Sequence, residues 1–327
     1  MTASHLNKAE ESAAWRLFCY NWLMLGIMTV ALAAGMALTG FSITPASALK
    51  PFAIVAAYAS YTVYKYRRPK NSDPKIAFIL GATGQILLIP VLMTPLTYIA
   101  ATANLPMQDA ALHAFDRALG LDWMAYFNFV YHRHALMFAT VLAYSMIGWP
   151  VFGVPIALGW TGRYRRMQQF TLAFAIALVA TTIISTLVPA MGTYELFNYT
   201  PDPEIFTPGA YLEQLRDLPL VRNGMLRVID FDALTGIITF PSFHAAAAVL
   251  YLWAFWPVRW IGPIALVVNV AMLLATPICG GHYFVDVFAG IAIAAAAIMA
   301  ARAIADRLTR PAKVTAAYTP QSAVPAK

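Results

Sequence analysis

Charge is scarce in this chain. Asp, Glu, Lys and Arg make up 11% of its 327 residues, against roughly 25% in ordinary soluble domains. With 60% hydrophobic residues, the chain carries more apolar surface than a water-soluble globule can hide, which excludes a freely soluble domain. Cysteine is scarcer still. The two present, Cys19 and Cys279, both lie in apolar stretches, which argues for neither a disulfide framework nor a thiolate metal site. A continuous basic stripe is also missing. The net charge of +7 is split into short clusters between apolar runs, so nucleic-acid binding, which needs a basic face on a folded surface, is excluded. The polar N-terminus lacks a short apolar core followed by a small-residue cleavage site, and the first apolar run reads as a retained span. Tandem repeats and low-complexity tracts are absent as well.

What is present is a series of apolar runs near the length needed to cross a bilayer, about 20 residues. Eight fit: about Phe18–Thr39, Leu49–Tyr64, Ile76–Ala101, Ala135–Leu158, Phe170–Val188, Phe243–Trp256, Ile261–Pro277 and Val285–Ala301. The third contains Pro90 and Pro95, which should kink it. The sixth is short and would borrow Thr239 to Ser242 at its outer end. The predicted fold is an all-α polytopic transmembrane bundle of about eight spans. It forms one membrane domain over 1–310, with a core at about 135–301 and a disordered tail at 311–327. Cations cluster at Lys65–Lys70, Arg163–Arg166 and Arg302–Lys313. With both termini in the cytoplasm, 16 of the 22 Lys and Arg fall on the inner side, as the positive-inside rule expects.

Two outer segments are too long for simple turns. Asn104–His134 mixes Leu112, Phe115, Leu119, Leu121 and Trp123 with Asp109, Asp116, Arg117 and Asp122, the pattern of a helix lying on a membrane surface. An interfacial brace is the simpler reading of it than a substrate role. The second segment, Pro189–Pro241, leads directly into the residues that matter most.

Pro241-Ser242-Phe243-His244 opens the sixth span, and Gly280-Gly281-His282-Tyr283-Phe284-Val285-Asp286 opens the eighth. The two histidines are 38 residues apart. Two crossings of a layer about 30 Å thick at about 1.5 Å per residue need about 40. The spacing therefore returns His282 to the membrane face that carries His244. His282 and Asp286 are four apart and share a helix face. An acid one turn into a span is costly without a partner, and the imidazole N–H of His282 is the evident one. That bond would fix the tautomer and leave the other ring nitrogen free as a base or nucleophile. Gly280 and Gly281 allow close backbone approach at a helix start, where amides and the dipole favour an anion. Ser242 offers a second set of donors. Two histidines and one aspartate can also bind zinc, but no further ligand follows at helical spacing, and the glycines and Ser242 suit an oxyanion better.

These residues resemble the type 2 phosphatidic acid phosphatase superfamily, which includes the vanadium haloperoxidases. Its second motif is Pro-Ser-Gly-His, and its third is Ser-Arg, five residues, His, three residues, Asp. The resemblance covers the last two-fifths of the chain well and the first half only through hydropathy. It implies that His282 is the nucleophile that becomes phosphorylated, that Asp286 orients it, that His244 protonates the leaving oxygen and that Ser242 contacts phosphate. Phe243 stands where the family has glycine, and Ala275-Thr276 where it has Ser-Arg. The first motif, a Lys six residues before Arg-Pro, has no clean match. Lys65–Pro69 mimics it on the opposite side of the membrane and reads as a positive-inside anchor. The Phe243 variant, the Gly-His-Tyr form and Pro189–Tyr194 look more like the branch of inositol phosphorylceramide synthases.

With the motif arginine missing, Arg222 and Arg227 in the outer loop are the candidates to neutralise phosphate, by side and position, and Arg216 is weaker. An arginine fork holds two phosphate oxygens. Tyr194 and Asp116-Arg117 are possible mouth residues. The expected substrate is a phospholipid or lipid phosphate presented by the bilayer. The acceptor is water in a phosphatase or a lipid alcohol in a transferase, and neither route needs a metal or organic cofactor. The expected setting is a bacterial inner (plasma) membrane, with the site at the outer, periplasmic face. A transporter is the competing class, against which the central spans carry almost no ionisable residues. A zinc-dependent membrane hydrolase is the other.

Overall fold

A computed structural model describes residues 3–67 and 73–309. The expected tail at 311–327 and residues 68–70 of the Lys65–Lys70 cluster lie outside the described residues. The chain is all-α, as its composition requires. The helices are α1 (Ala3–Thr39), α2 (Pro45–Arg67), α3 (Pro74–Ala101), α4 (Asp109–Ala118), α5 (Trp123–Tyr131), α6 (His134–Ser145) and α7 (Pro150–Trp160). They continue with α8 (Tyr164–Leu187), α9 (Thr193–Leu196), α10 (Gly209–Arg222), α11 (Phe243–Phe255), α12 (Ile261–Cys279) and α13 (Phe284–Thr309). Among the described residues the extended structure is one parallel pair, β1 (Ser42–Ile43) with β2 (Val228–Ile229), in register Ser42 to Val228.

Among the described residues, five helices are long and apolar enough to cross a membrane: α1, α3, α8, α12 and α13. A sixth crossing is possible if α6 and α7 form one span, bent by 61° between Gly148 and Pro150. Proline lacks the amide that would continue the ladder there. The expected eight included two runs that fall short of this test. α11 has 13 residues, about 20 Å at 1.5 Å each, less than a bilayer core of about 30 Å. α2 carries Ser, Thr, Tyr and Lys among its apolar residues, which lowers its hydropathy. It lies along α3, where a Cβ on Gly81 or Gly84 would run into Thr62 or Tyr58. α3 itself runs unbroken through Pro90 and Pro95.

The outside of the bundle is apolar. Val30, Leu38, Leu187, Val267 and Met299 are all more than 60% exposed, a surface that lipid tails can solvate and water cannot. Buried polar side chains tie helices together, as a low-dielectric interior favours. Asn21 donates to the Gln168 side chain at 2.8 Å, joining α1 to α8, and Gln85 donates to the Phe18 carbonyl.

The two ends of the bundle differ. At one end sit basic loops, with Arg163 donating to the Pro257 carbonyl and Arg165 paired to Asp306. At the other, the chain between α3 and α6, the loop before α11 and the β1–β2 pair form a folded layer over the helix ends. This layer carries an aromatic cluster of Trp123, Phe127, Tyr131, Tyr194 and Tyr211. Within it, the surface helix expected over Asn104–His134 is two helices, α4 and α5. Asp122 caps α5 by accepting from the Ala125 amide and pairs with Arg117.

Candidate functional site

The site lies where α11 and α13 begin. Ser242 is the N-cap of α11, and its hydroxyl oxygen accepts from the Ala245 amide. The Ser242 amide donates to the Asp286 carbonyl at 3.1 Å, which ties the two helix starts together. One turn further along α13 is Gly290, where an added Cβ would lie 2.3 Å from the Ser242 carbonyl oxygen. Glycine there is what lets the two helices approach so closely.

His282 is held from both ring nitrogens. Nδ1 lies 3.1 Å from Asp286 Oδ2, and Nε2 lies 3.3 Å from Ser242 Oγ. Asp286 is fully buried, and the same oxygen takes the Tyr283 amide at 2.9 Å. Its other oxygen is buried with no hydrogen-bond partner among the described residues. The imidazole N–H is therefore a main compensation for that charge, so Nδ1 carries the proton. Nε2 then keeps its lone pair and accepts from the Ser242 hydroxyl.

His244 lies face to face with the Tyr144 ring, centroids 3.9 Å apart and planes 10° apart. It shares a cavity of about 230 Å³ with His282, Tyr144, Gln214, Thr94, Thr97 and Gly280. Both histidines thus line one cavity. A Cβ on Gly280 would lie 2.4 Å from the His282 ring and 2.8 Å from the Tyr144 hydroxyl, so only glycine leaves room for both rings.

Two acids of the outer layer hold this loop in place. Asp116 is buried and accepts from the amides of Phe284 and Val285, at 2.8 and 2.9 Å. It caps α13 from a helix far away in sequence. Burial holds its pKa above the ordinary carboxylate value, and those two amides offset only part of that rise. Asp109 accepts from the amides of Met191 and Gly192 and from the Tyr283 hydroxyl. The run Pro189–Tyr194 is thereby pressed against the histidine loop. The Thr193 amide donates to the Gly281 carbonyl at 2.8 Å, and the Tyr194 hydroxyl donates to Ile278.

Several expected phosphate contacts sit elsewhere. The Gly280 and Gly281 amides point back into the end of α12, to the Thr276 and Ile278 carbonyls. Gly281, at φ +62°, serves the turn. Phe284 and Val285 spend their amides on Asp116, so the start of α13 is not an open anion site. Arg227 donates to the Val221 and Leu226 carbonyls, closing the end of α10, and lies over the Phe41 ring. Arg222 donates to the Leu105 carbonyl in a small neighbouring pocket, which shares Thr97 and Ile238 with the histidine cavity. Neither arginine lines that cavity. Arg216 pairs with Asp217, to which Tyr98 also donates. Of the mouth residues, Asp116 and Tyr194 are buried braces, and Arg117 faces Asp122.

Sequence reasoning passed over Tyr144, Gln214, Asp109 and Gly290. Tyr144 and Gly290 lie within apolar helical runs, where nothing local marks them. Gln214 is buried, its amide donating to the Ala190 and Met191 carbonyls. Among the described residues no group of three His, Cys, Asp or Glu is arranged to hold a metal ion.

A family model described as the PAP2 superfamily matches residues 110–300. The matched stretch runs from the start of α4 to near the end of α13 and contains every residue of the His244–His282 cavity except Pro90, Thr94 and Thr97. No curated protein and no solved structure matches the chain.

Proposed function

The chain belongs to the PAP2 superfamily, and we propose that it is a membrane enzyme that breaks a lipid phosphoester bond through a phosphohistidine on His282. The observation that carries this reading is the relay Asp286–His282–Ser242 opening on a cavity that also holds His244. Nε2 of His282 attacks phosphorus in line while the bond to the leaving oxygen breaks. His244 gives that oxygen its proton. Asp286 accepts from Nδ1–H and stabilises the positive charge that the ring gains on forming the N–P bond. In the second half, neutral His244 takes the proton of an incoming hydroxyl, whose oxygen displaces His282 from phosphorus. The Ser242 hydroxyl, bound to Nε2 at rest, turns to a phosphate oxygen once Nε2 is used. The α11 dipole adds to that attraction. Arg222 and the cations of the outer layer supply attraction at longer range, and the active site faces the outside of a bacterial inner membrane.

The cavity lining supports transfer of a phosphorylated head group over hydrolysis of a lipid monophosphate. It includes no Lys or Arg. A phosphodiester carries one negative charge, which a helix start and the N–H of His244 can balance. A monoester carries close to two and would lack a counter-cation. The branch of inositol phosphorylceramide synthases, which the motif spelling resembles, performs such a transfer onto a lipid alcohol.

Purified protein given phosphatidylinositol or phosphatidic acid, each with and without ceramide or diacylglycerol, tests this. The expected result is head-group movement from the diester only when a lipid alcohol is present. Release of inorganic phosphate from phosphatidic acid alone would reassign it as a phosphatase. Activity lost in chelator and restored by zinc would replace the histidine mechanism with a metal hydrolase.

A further inference from the structure

At the end of the bundle away from the histidines, a groove of about 570 Å³ runs between α8, α11 and α13. Its walls are Val249, Leu252, Trp256, Ala295, Ile298 and Met299, and at its rim stand Arg166, Arg302 and Trp253. Both guanidinium groups lie over the one indole ring, at 4.4 Å for Arg166 and 5.3 Å for Arg302. Arg166 is fixed by donating to the Trp253 and Ala254 carbonyls, the open end of α11. Neither arginine has a carboxylate partner among the described residues. Asp306, one turn beyond Arg302, is bound to Arg165. The indole N–H of Trp253 is buried without an acceptor among the described residues.

Two cations crowded on one aromatic ring repel each other, and an anion bound to both relieves that repulsion. The groove beside them is apolar, and its wall residues Trp256 and Met299 are exposed. A soluble anion would fill the rim and leave the walls empty, whereas a lipid fills both. We infer that this groove binds an anionic phospholipid, its phosphate held by Arg166 and Arg302 and the upper part of an acyl chain lying on Leu252, Ile298 and Met299. Basic recesses between spans at the positively charged face of a membrane are suited to such head groups. The site is separate from the catalytic cavity. Trp253 is nine residues along α11 from His244, about 13 Å at 1.5 Å per residue.

Native mass spectrometry of the detergent-purified protein, with phosphatidylglycerol and phosphatidylcholine as probes, tests the inference. Phosphatidylglycerol should be retained in preference to phosphatidylcholine. Arg302→Gln should lower its retention about fivefold, the worth of one basic side chain near a lipid phosphate. Arg307→Gln, an exposed arginine of the same helix outside the groove, should leave retention unchanged. Arg302→Lys should keep part of it. Equal retention of both lipids overturns the inference. So does equal loss in the 302 and 307 variants, which would mean diffuse attraction to the basic face. Full displacement of phosphatidylglycerol by millimolar inorganic phosphate would assign the rim to a soluble anion instead. Arg302 is exposed and caps no helix, so its variants are expected to fold.

Discussion

α11 and α13 both begin beside the same cavity, so both direct the positive end of a helix dipole toward it. They treat that end differently. At α13, protein carboxylates occupy the amides: Asp116 holds Phe284 and Val285, and Asp286 holds Tyr283. At α11, the cap is the neutral hydroxyl of Ser242. A carboxylate at a helix start neutralises the dipole and repels a second anion, whereas a hydroxyl does neither. The two starts therefore divide the work. In the proposed mechanism, α13, whose first amides are taken by carboxylates, anchors the imidazole, while α11 keeps its positive end for the substrate.

The largest expected effect comes from the plugged start. Asp286→Asn keeps the shape but presents an amide to Nδ1, favours the wrong tautomer and should cost about 10⁴ in kcat, as in the serine-protease precedent. Next is the open start. Ser242→Ala removes a donor aimed at developing charge and should cost about 10²–10³ in kcat. Ser242→Asp sharpens the comparison, because aspartate caps a helix as well as serine does yet gives α11 the carboxylate that α13 already has. It should lose more activity than Ser242→Ala and raise KM. An aspartate variant as active as wild type would sink the division of labour.

Asp116→Ala should be milder in catalysis, about 10–100-fold, the usual cost of removing a group that positions another. It should also lower stability by about 1–3 kcal/mol for each amide orphaned, read as a fall in thermal midpoint in detergent. The smallest effect is expected for Arg227→Gln. Turnover should stay within about threefold of wild type, because its guanidinium closes α10, and the stability loss should be about 1 kcal/mol. A 100-fold loss of turnover without unfolding would return Arg227 to the phosphate.

The histidine pair was legible because its two signals are local and periodic. His282 and Asp286 fall one helical turn apart, and the distance to His244 matches one helix out and one back, α11 and α12. The apolar runs likewise announced the bundle. The amide accounting at α13 was hidden, since Asp116 lies 168 residues from the amide of Phe284 that it caps. No local pattern tells a capping acid from a surface one. Gly290 reads as one small residue among many until the Ser242 carbonyl is seen beside it. The arginines were misleading for a related reason. Side and loop position bring Arg222 and Arg227 near the site in sequence, but helix ends and loops need cations too, and both are engaged with backbone carbonyls.

The central claim is that His282 carries the transferred group. Brief exposure of the pure protein to lipid labelled in its phosphate, followed by acid and base treatment of the trapped protein, tests it most directly. The account predicts a label that survives base and is lost in acid, as a phosphoramidate bond requires. That label should be absent from His282→Ala and should still form, more slowly, in His244→Ala with an acidic leaving group such as a nitrophenol. Label that persists in His282→Ala, or a wild-type protein that turns over substrate without ever becoming labelled, would contradict it.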